Sequence, residues 1–253
     1  MTPETSSMPF CEVMRLRQDG RALDQLRPVT LELGFTKFAE GSCLVRAGDT
    51  VVLCNASVEE RVPPHVSKGG WVTAEYSMLP RANRERSKRD VSKLKLAPRS
   101  AEIQRLVGRA LRAAVDLEAL GIRTITIDCD VLQGDGGTRT ASVTGGFVAL
   151  VLACRGLMTR GLLEKLPIRN YVAGISAGIV GGEAMLDLCY VEDSRAAVDL
   201  NCVMNGNGNL IEVQGTGEGR PFTLEEEQKL LRLCGKGCRE LIALEKKVLG
   251  ELV

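Results

Sequence analysis

The chain has one histidine, one tryptophan and only 4% aromatic residues, and its net charge is +1 across 253 residues. Each scarcity excludes something. A Ser-His-Asp or Cys-His nucleophile would have to use His65, which sits in a Pro-Pro loop, and a ribonuclease mechanism built on two histidines is impossible. Nine cysteines form no CxxC pair, and Cys234 and Cys238, the one close pair, lack the further ligands of a zinc site. Cys43, Cys54, Cys129, Cys154, Cys189 and Cys202 lie in apolar runs and read as small core residues suited to a reducing cytoplasm. No apolar run approaches eighteen residues and the first ten hold no apolar leader, so neither membrane spanning nor secretion is expected.

What is present is an ordinary globular composition, 44% hydrophobic and 26% charged, in a chain long enough to bury a core without disulfides. The small net charge hides a segregation. Arg81, Arg84, Arg86, Lys88, Arg89, Lys93, Lys95 and Arg99 face only Glu85 and Asp90 in one segment, whereas Glu183, Asp187, Glu192, Asp193 and Asp199 dominate another. Two solvated loops, or a polyanion partner together with a metal, both fit that pattern.

Alternating segments over 29–60 predict strands in hairpins, with a short strand at "WVTAEYSMLP" and a mobile basic loop after it. Ile103, Leu106, Val107, Ala110, Leu111 and Ala114 recur at helical spacing, predicting a helix over 100–120 capped by Ser100. Arg105, Arg109 and Arg112 stripe another face, suited to acidic neighbours, a subunit or a phosphate backbone. "RTITIDCDVLQ" predicts a strand and 143–161 a buried helix. Hairpins follow around Gly181-Gly182, with Asp187 in an apolar strand, and around Asn205–Asn209. Thr223 and Glu226 form a capping box for the last helix, which Gly235 and Gly237 weaken. The order predicts an α+β fold of mixed sheets packed with helices, in two similar halves and one domain over 1–253.

Between a strand and a helix lies "GDGGTRTAS", residues 134–142. Glycines there expose backbone N–H groups, a helix N-terminus favours anions, and Arg139 offers a planar fork for phosphate. The pattern is neither GxGxxG nor a P-loop, which excludes the usual nucleotide-binding folds. A tight turn with a solvent-facing arginine and an oxyanion seat both remain compatible with it.

Several long stretches carry a resemblance: "RQDGRALDQLRPV", "AEGSCLVRAGDTVVLCNASVEERVP", "GWVTAEYSMLPRA", "RSAEIQRLVGRALRAAVDL", "TITIDCDVLQGDGGTRTASVTGGFVAL" and "LDLCYVEDSRAAVDLN" with "IEVQGTGEG". In this order, from about residue 14 to the C-terminus, they closely resemble the bacterial ribonuclease PH family. The resemblance implies the ribonuclease PH fold, with residues 1–13 a flexible extension. It implies a phosphate-dependent 3′→5′ exoribonuclease that trims tRNA precursors and other RNA 3′ ends, releases nucleoside diphosphates, and works in the cytoplasm as a hexamer of three dimers. Arg99, Gly137, Thr138 and Arg139 would bind inorganic phosphate, the co-substrate. Asp187 and Asp193 would hold Mg²⁺ or Mn²⁺ or transfer protons, and Arg81, Arg86 and Arg89 would draw in RNA. A non-catalytic RNA-binding subunit of an exosome-like ring is the alternative. Relatives often read Gly-Gly-Arg-Thr where this chain has "APRS" (97–100), and "QADGGTR" where it has "QGDGGTR".

Overall fold

The computed structural model describes residues 17–89 and 97–252. The extension expected over 1–13 lies outside the described residues, as do Lys93 and Lys95.

Strands β1 (Val29–Leu33), β2 (Gly41–Ala47) and β3 (Thr50–Glu59) form an antiparallel meander. β4 (Trp71–Met78) leads through α1 (Pro98–Ala114) and the short α2 (Leu117–Leu120) to β5 (Thr124–Gln133). β5 inserts between β3, antiparallel, and β4, parallel, giving the order β1-β2-β3-β5-β4. α3 (Thr138–Thr159) then crosses to the second half. There β6 (Val172–Val180), β7 (Glu183–Leu186), β8 (Val198–Asn205) and β9 (Leu210–Gly217) pair antiparallel in the order β7-β6-β8-β9. The short α4 (Tyr190–Asp193) lies between β7 and β8, and α5 (Leu224–Leu249) closes the chain.

The apolar stripe expected on α1 is buried, from Ile103 to Ala114. The helix starts earlier than expected, with Ala97 as cap and Pro98 in the first turn, where proline's fixed φ suits it and its missing N–H costs nothing. It also ends earlier. Val115 turns extended to bridge Ile168, and Asp116 caps α2 by accepting hydrogen bonds from the N–H groups of Glu118 and Ala119. Two of the striped arginines are used internally: Arg109 pairs with Glu212, and Arg112 donates to the Val72 carbonyl and stacks over Trp71.

α3 is apolar on nearly every side because both sheets pack on it, and one contiguous core runs through the two halves. It is long and apolar enough to cross a membrane by length and composition, although the sequence showed no such run to inspection, and it is mostly buried inside the protein. α5 runs unbroken through both glycines. A Cβ on Gly237 would stand 3.0 Å from a Leu186 methyl, so its absence lets the helix lie close on β7.

The cysteines depart from expectation at one position. Cys43, Cys54, Cys129, Cys154 and Cys202 are core residues, whereas Cys189 is half-buried and caps α4.

Candidate active site

The glycine cluster is the bend leading directly into α3, which begins at Thr138, five residues before the expected start at 143. Gly136 and Gly137 take left-handed backbone angles, φ 75° and 66°, and Thr138 and Arg139 form the first helical turn. Gly137 has no side chain with which to cap the helix, so the first N–H groups stay open to a ligand. Gly136 lies against the second half of the chain: a Cβ there would stand 2.4 Å from the Leu188 carbonyl oxygen.

The loop is braced from behind. The Thr50 hydroxyl donates to the Gly136 carbonyl and accepts from the Asp135 N–H, at 2.7 and 2.9 Å. Buried Arg27 donates to the carbonyls of Asp135 and Gly136. In front, the Thr138 and Tyr76 hydroxyls share a hydrogen bond of 2.8 Å, and Arg139 donates to the Gln214 side-chain oxygen at 3.0 Å.

A cavity of about 310 Å³ opens at this helix end, lined by Arg99, Gly137, Thr138, Arg139, Ser176, Asp193, Ser194, Ala196, Asp199, Asn201 and Glu218. Two helix N-termini serve it. Arg99 stands in the first turn of α1, as Arg139 does in that of α3, and neither first turn contains an acid. A cation at a helix N-terminus opposes the helix dipole, and an anion between the two arginines removes that penalty.

Opposite the arginines stand two carboxylates. Asp193 ends α4, which Cys189 and Glu192 cap reciprocally and which buried Arg17 holds in place through Glu192. Asp199 projects from β8 and accepts from the Asn201 amide at 3.0 Å. Burial pushes the Asp193 carboxyl upward against the pull of Arg99 and Arg139. Burial first, and then the Asp193 charge, pushes Asp199 up to about 6.

The expectation for Asp187 is corrected. It does not lie within a strand but follows β7 with φ 54°, in the left-handed region, and its side chain turns behind the loop. One carboxylate oxygen accepts from the Arg27 backbone N–H and Nε at 2.8 and 3.0 Å, and the other from Arg27 Nη2 at 2.7 Å. Burial opposes its charge, but Arg27 outweighs burial and holds the carboxyl below the usual range. A carboxylate tied to Arg27 this way, and absent from the cavity lining, braces the glycine loop from behind and does not face the cavity beside Asp193. The group that joins Asp193 is Asp199, which the residue pattern marked as acidic without selecting it.

Among the described residues no group of three or more histidine, cysteine or acidic side chains has metal-binding geometry, so a cation here would rest on two carboxylates and its other ligands. Arg81, Arg86 and Arg89 are exposed on the segment after β4. That segment departs beside the loop, since the Gly134 N–H donates to the Ala82 carbonyl at 2.8 Å.

Arginines and carboxylates thus line one cavity at a helix end, on a two-sheet frame. The comparisons agree with the frame. The chain resembles a solved archaeal structure, described as the Archaeoglobus fulgidus exosome with RNA bound to the active site. The TM-score is 0.78 and the identity 26%, over 89% of this chain and 91% of that one. A structure described as an archaeal exosome core gives a TM-score of 0.71 and 25% identity, over 92% and 90%. The models for domain 1 and domain 2 of the 3′ exoribonuclease family match residues 25–155 and 170–235. The chain is 54% identical to ribonuclease PH of Moorella thermoacetica over 94% of its length and 96% of the relative's. It is 55% identical to ribonuclease PH of Syntrophomonas wolfei over 92% and 99%. The chain belongs to the 3′ exoribonuclease family.

Proposed function

We propose that this cavity is where the protein carries out its phosphorolytic 3′→5′ exoribonuclease reaction. Inorganic phosphate is the nucleophile, held by Arg99, Arg139, the Thr138 side chain and the N–H groups that open α3. The observation that carries the reading is the convergence of two helix N-termini, each bearing an arginine, on one cavity that also holds two carboxylates with raised pKa.

A phosphate oxygen attacks the terminal phosphodiester phosphorus, the bond to the preceding nucleotide's 3′ oxygen breaks, and a nucleoside diphosphate leaves. Hydrogenphosphate is already partly ionised at neutral pH, which explains why a chain with one histidine needs no histidine base. The arginines offset repulsion between two anions brought together, and positioning contributes up to about 7–11 kcal/mol in favourable cases.

The residues also fit Mg²⁺ or Mn²⁺. Asp193 and Asp199 face one cavity, and the charge of one raises the pKa of the other, a conflict that a cation between them relieves. When bound, the metal supplies charge stabilisation at the attacked phosphoryl group and the departing 3′ oxygen.

The exposed Arg81, Arg86 and Arg89 suit capture of an RNA backbone independently of sequence, with tRNA precursors as the proposed substrates. A hexameric ring of three dimers is the proposed assembly. Its support is the likeness to exosome structures and the apolar surface left by Phe35 and Phe38 in the β1–β2 turn. The described cysteines are free, in keeping with a reducing cytoplasm.

The test is incubation with a 3′-extended tRNA and Mg²⁺, with and without inorganic phosphate. Nucleoside diphosphates released only with phosphate are expected. Monophosphates without phosphate would mean a hydrolase, and RNA binding without release would favour a silent ring subunit.

A further inference from the structure

We propose that Ser176 of β6 is a further phosphate-contacting residue, donating its hydroxyl to the attacking phosphate from the wall opposite the α3 N-terminus. The inference rests on the phosphate reading of the cavity and adds a contact to it.

Strand geometry supplies the placement. A Cβ on Gly174 would stand 3.3 Å from the Thr140 Cα, so that face of β6 lies against the first turn of α3. Side chains two residues apart share a face and stand roughly 6–7 Å apart along a strand. Ser176 therefore occupies the same face one step further on. The cavity lining agrees, because Ser176 lines the same cavity as Gly137, Thr138 and Arg139.

The hydroxyl is also unemployed. Ser176 is 4% exposed, yet among the described residues its Oγ has no hydrogen-bond partner. Its neighbours are occupied elsewhere: Asn201, its register partner on β8, donates to Asp199, and Gln214, next across on β9, accepts from Arg139. The Ser176 carbonyl accepts from the Asp187 N–H at 2.7 Å, which fixes the strand against the brace behind the loop. A buried hydroxyl without a partner costs stability, and hydroxyl hydrogen bonds to charged groups are stronger than those between neutral ones. A rigidly held free donor aimed at an anion seat is accounted for when the anion accepts from it.

The test is Ser176→Ala, assayed for phosphorolysis across phosphate concentrations and for the rise in melting temperature that inorganic phosphate alone produces. The variant buries no unsatisfied group and is expected to fold. A roughly tenfold higher KM for phosphate is expected, with kcat at saturating phosphate and KM for RNA within twofold of the parent. The phosphate-induced melting shift should shrink, and Ser176→Thr, which keeps a hydroxyl, should restore part of both effects. Arg139→Ala serves as the control for the underlying reading. If Arg139→Ala raises the phosphate KM and Ser176→Ala does not, the role of Ser176 is overturned. If neither variant changes it, the phosphate reading fails and the proposal fails with it. A fall in kcat without a change in phosphate KM would mean that the hydroxyl does not hold the bound phosphate, and would overturn the proposal as well.

Discussion

Two regions on opposite sides of one glycine loop handle an aspartate withdrawn from solvent, fully at Asp187 and partly at Asp199, in opposite ways. Behind the loop, Asp187 is held by Arg27 through backbone and guanidinium together, with Arg21 3.6 Å from one of its oxygens, and its carboxyl stays readily ionised. In front of it, Asp199 faces another acid, has one amide for company, and holds its proton up to about 6. The difference is completion. The rear carboxylate is satisfied by the protein and stabilises the fold, whereas the front one is left for something the protein must bind.

The sharpest way to break this comparison is to neutralise each side in turn. Asp199→Asn should lower kcat by about 10²–10³-fold, the scale seen when a transition-state charge partner is removed. Its melting temperature should be unchanged or higher, because a repulsive pair has been relieved. Turnover as a function of Mg²⁺, together with calorimetry, checks both halves. A destabilised Asp199→Asn with normal turnover would reverse the roles assigned here.

Asp187→Ala should do the opposite. It strands a buried guanidinium and should cost about 3–5 kcal/mol of stability, read from denaturant unfolding. Activity per folded molecule should fall far less than in Asp199→Asn.

A third buried carboxylate sharpens the contrast with a smaller effect. Glu245 on α5 is fully buried with neither oxygen bonded among the described residues, and burial holds its pKa well above the usual carboxylate range. The folded state keeps this proton where the unfolded chain releases it. Stability from this group is therefore full below the usual carboxylate range and is lost as pH rises toward and through the elevated value. Glu245→Gln should gain about 1–3 kcal/mol at pH 8 and almost nothing near pH 4, measured as unfolding free energy against pH.

The phosphate half of the site was legible because it is contiguous: glycines, a hydroxyl and an arginine in six residues, between an apolar strand and an apolar helix. The sheets were legible for a similar reason, since alternation and the turns at Gly181-Gly182 and Asn205–Asn209 are local signals. The carboxylate half was not, because it depends on where a strand stops. "AMLDLCYV" looks like one strand, and nothing local announces that Leu186 ends it, that Asp187 turns left-handed, and that α4 follows. With that break unseen, Asp187 and Asp193 seem the natural pair. Arg27, the residue that claims Asp187, lies 160 positions away and has no sequence signal of its own. Ser176 was invisible for the same reason, as its meaning comes from the helix end it faces.

Gly136 sets how close the two halves come. Its missing methyl lets the loop touch the backbone of Leu188 through Tyr190, so the phosphate side and the carboxylate side meet at the distance of two bare main chains. Neither half of the polypeptide owns the site, and each brings a part that is inert by itself. The cavity therefore exists only when both halves have folded against each other.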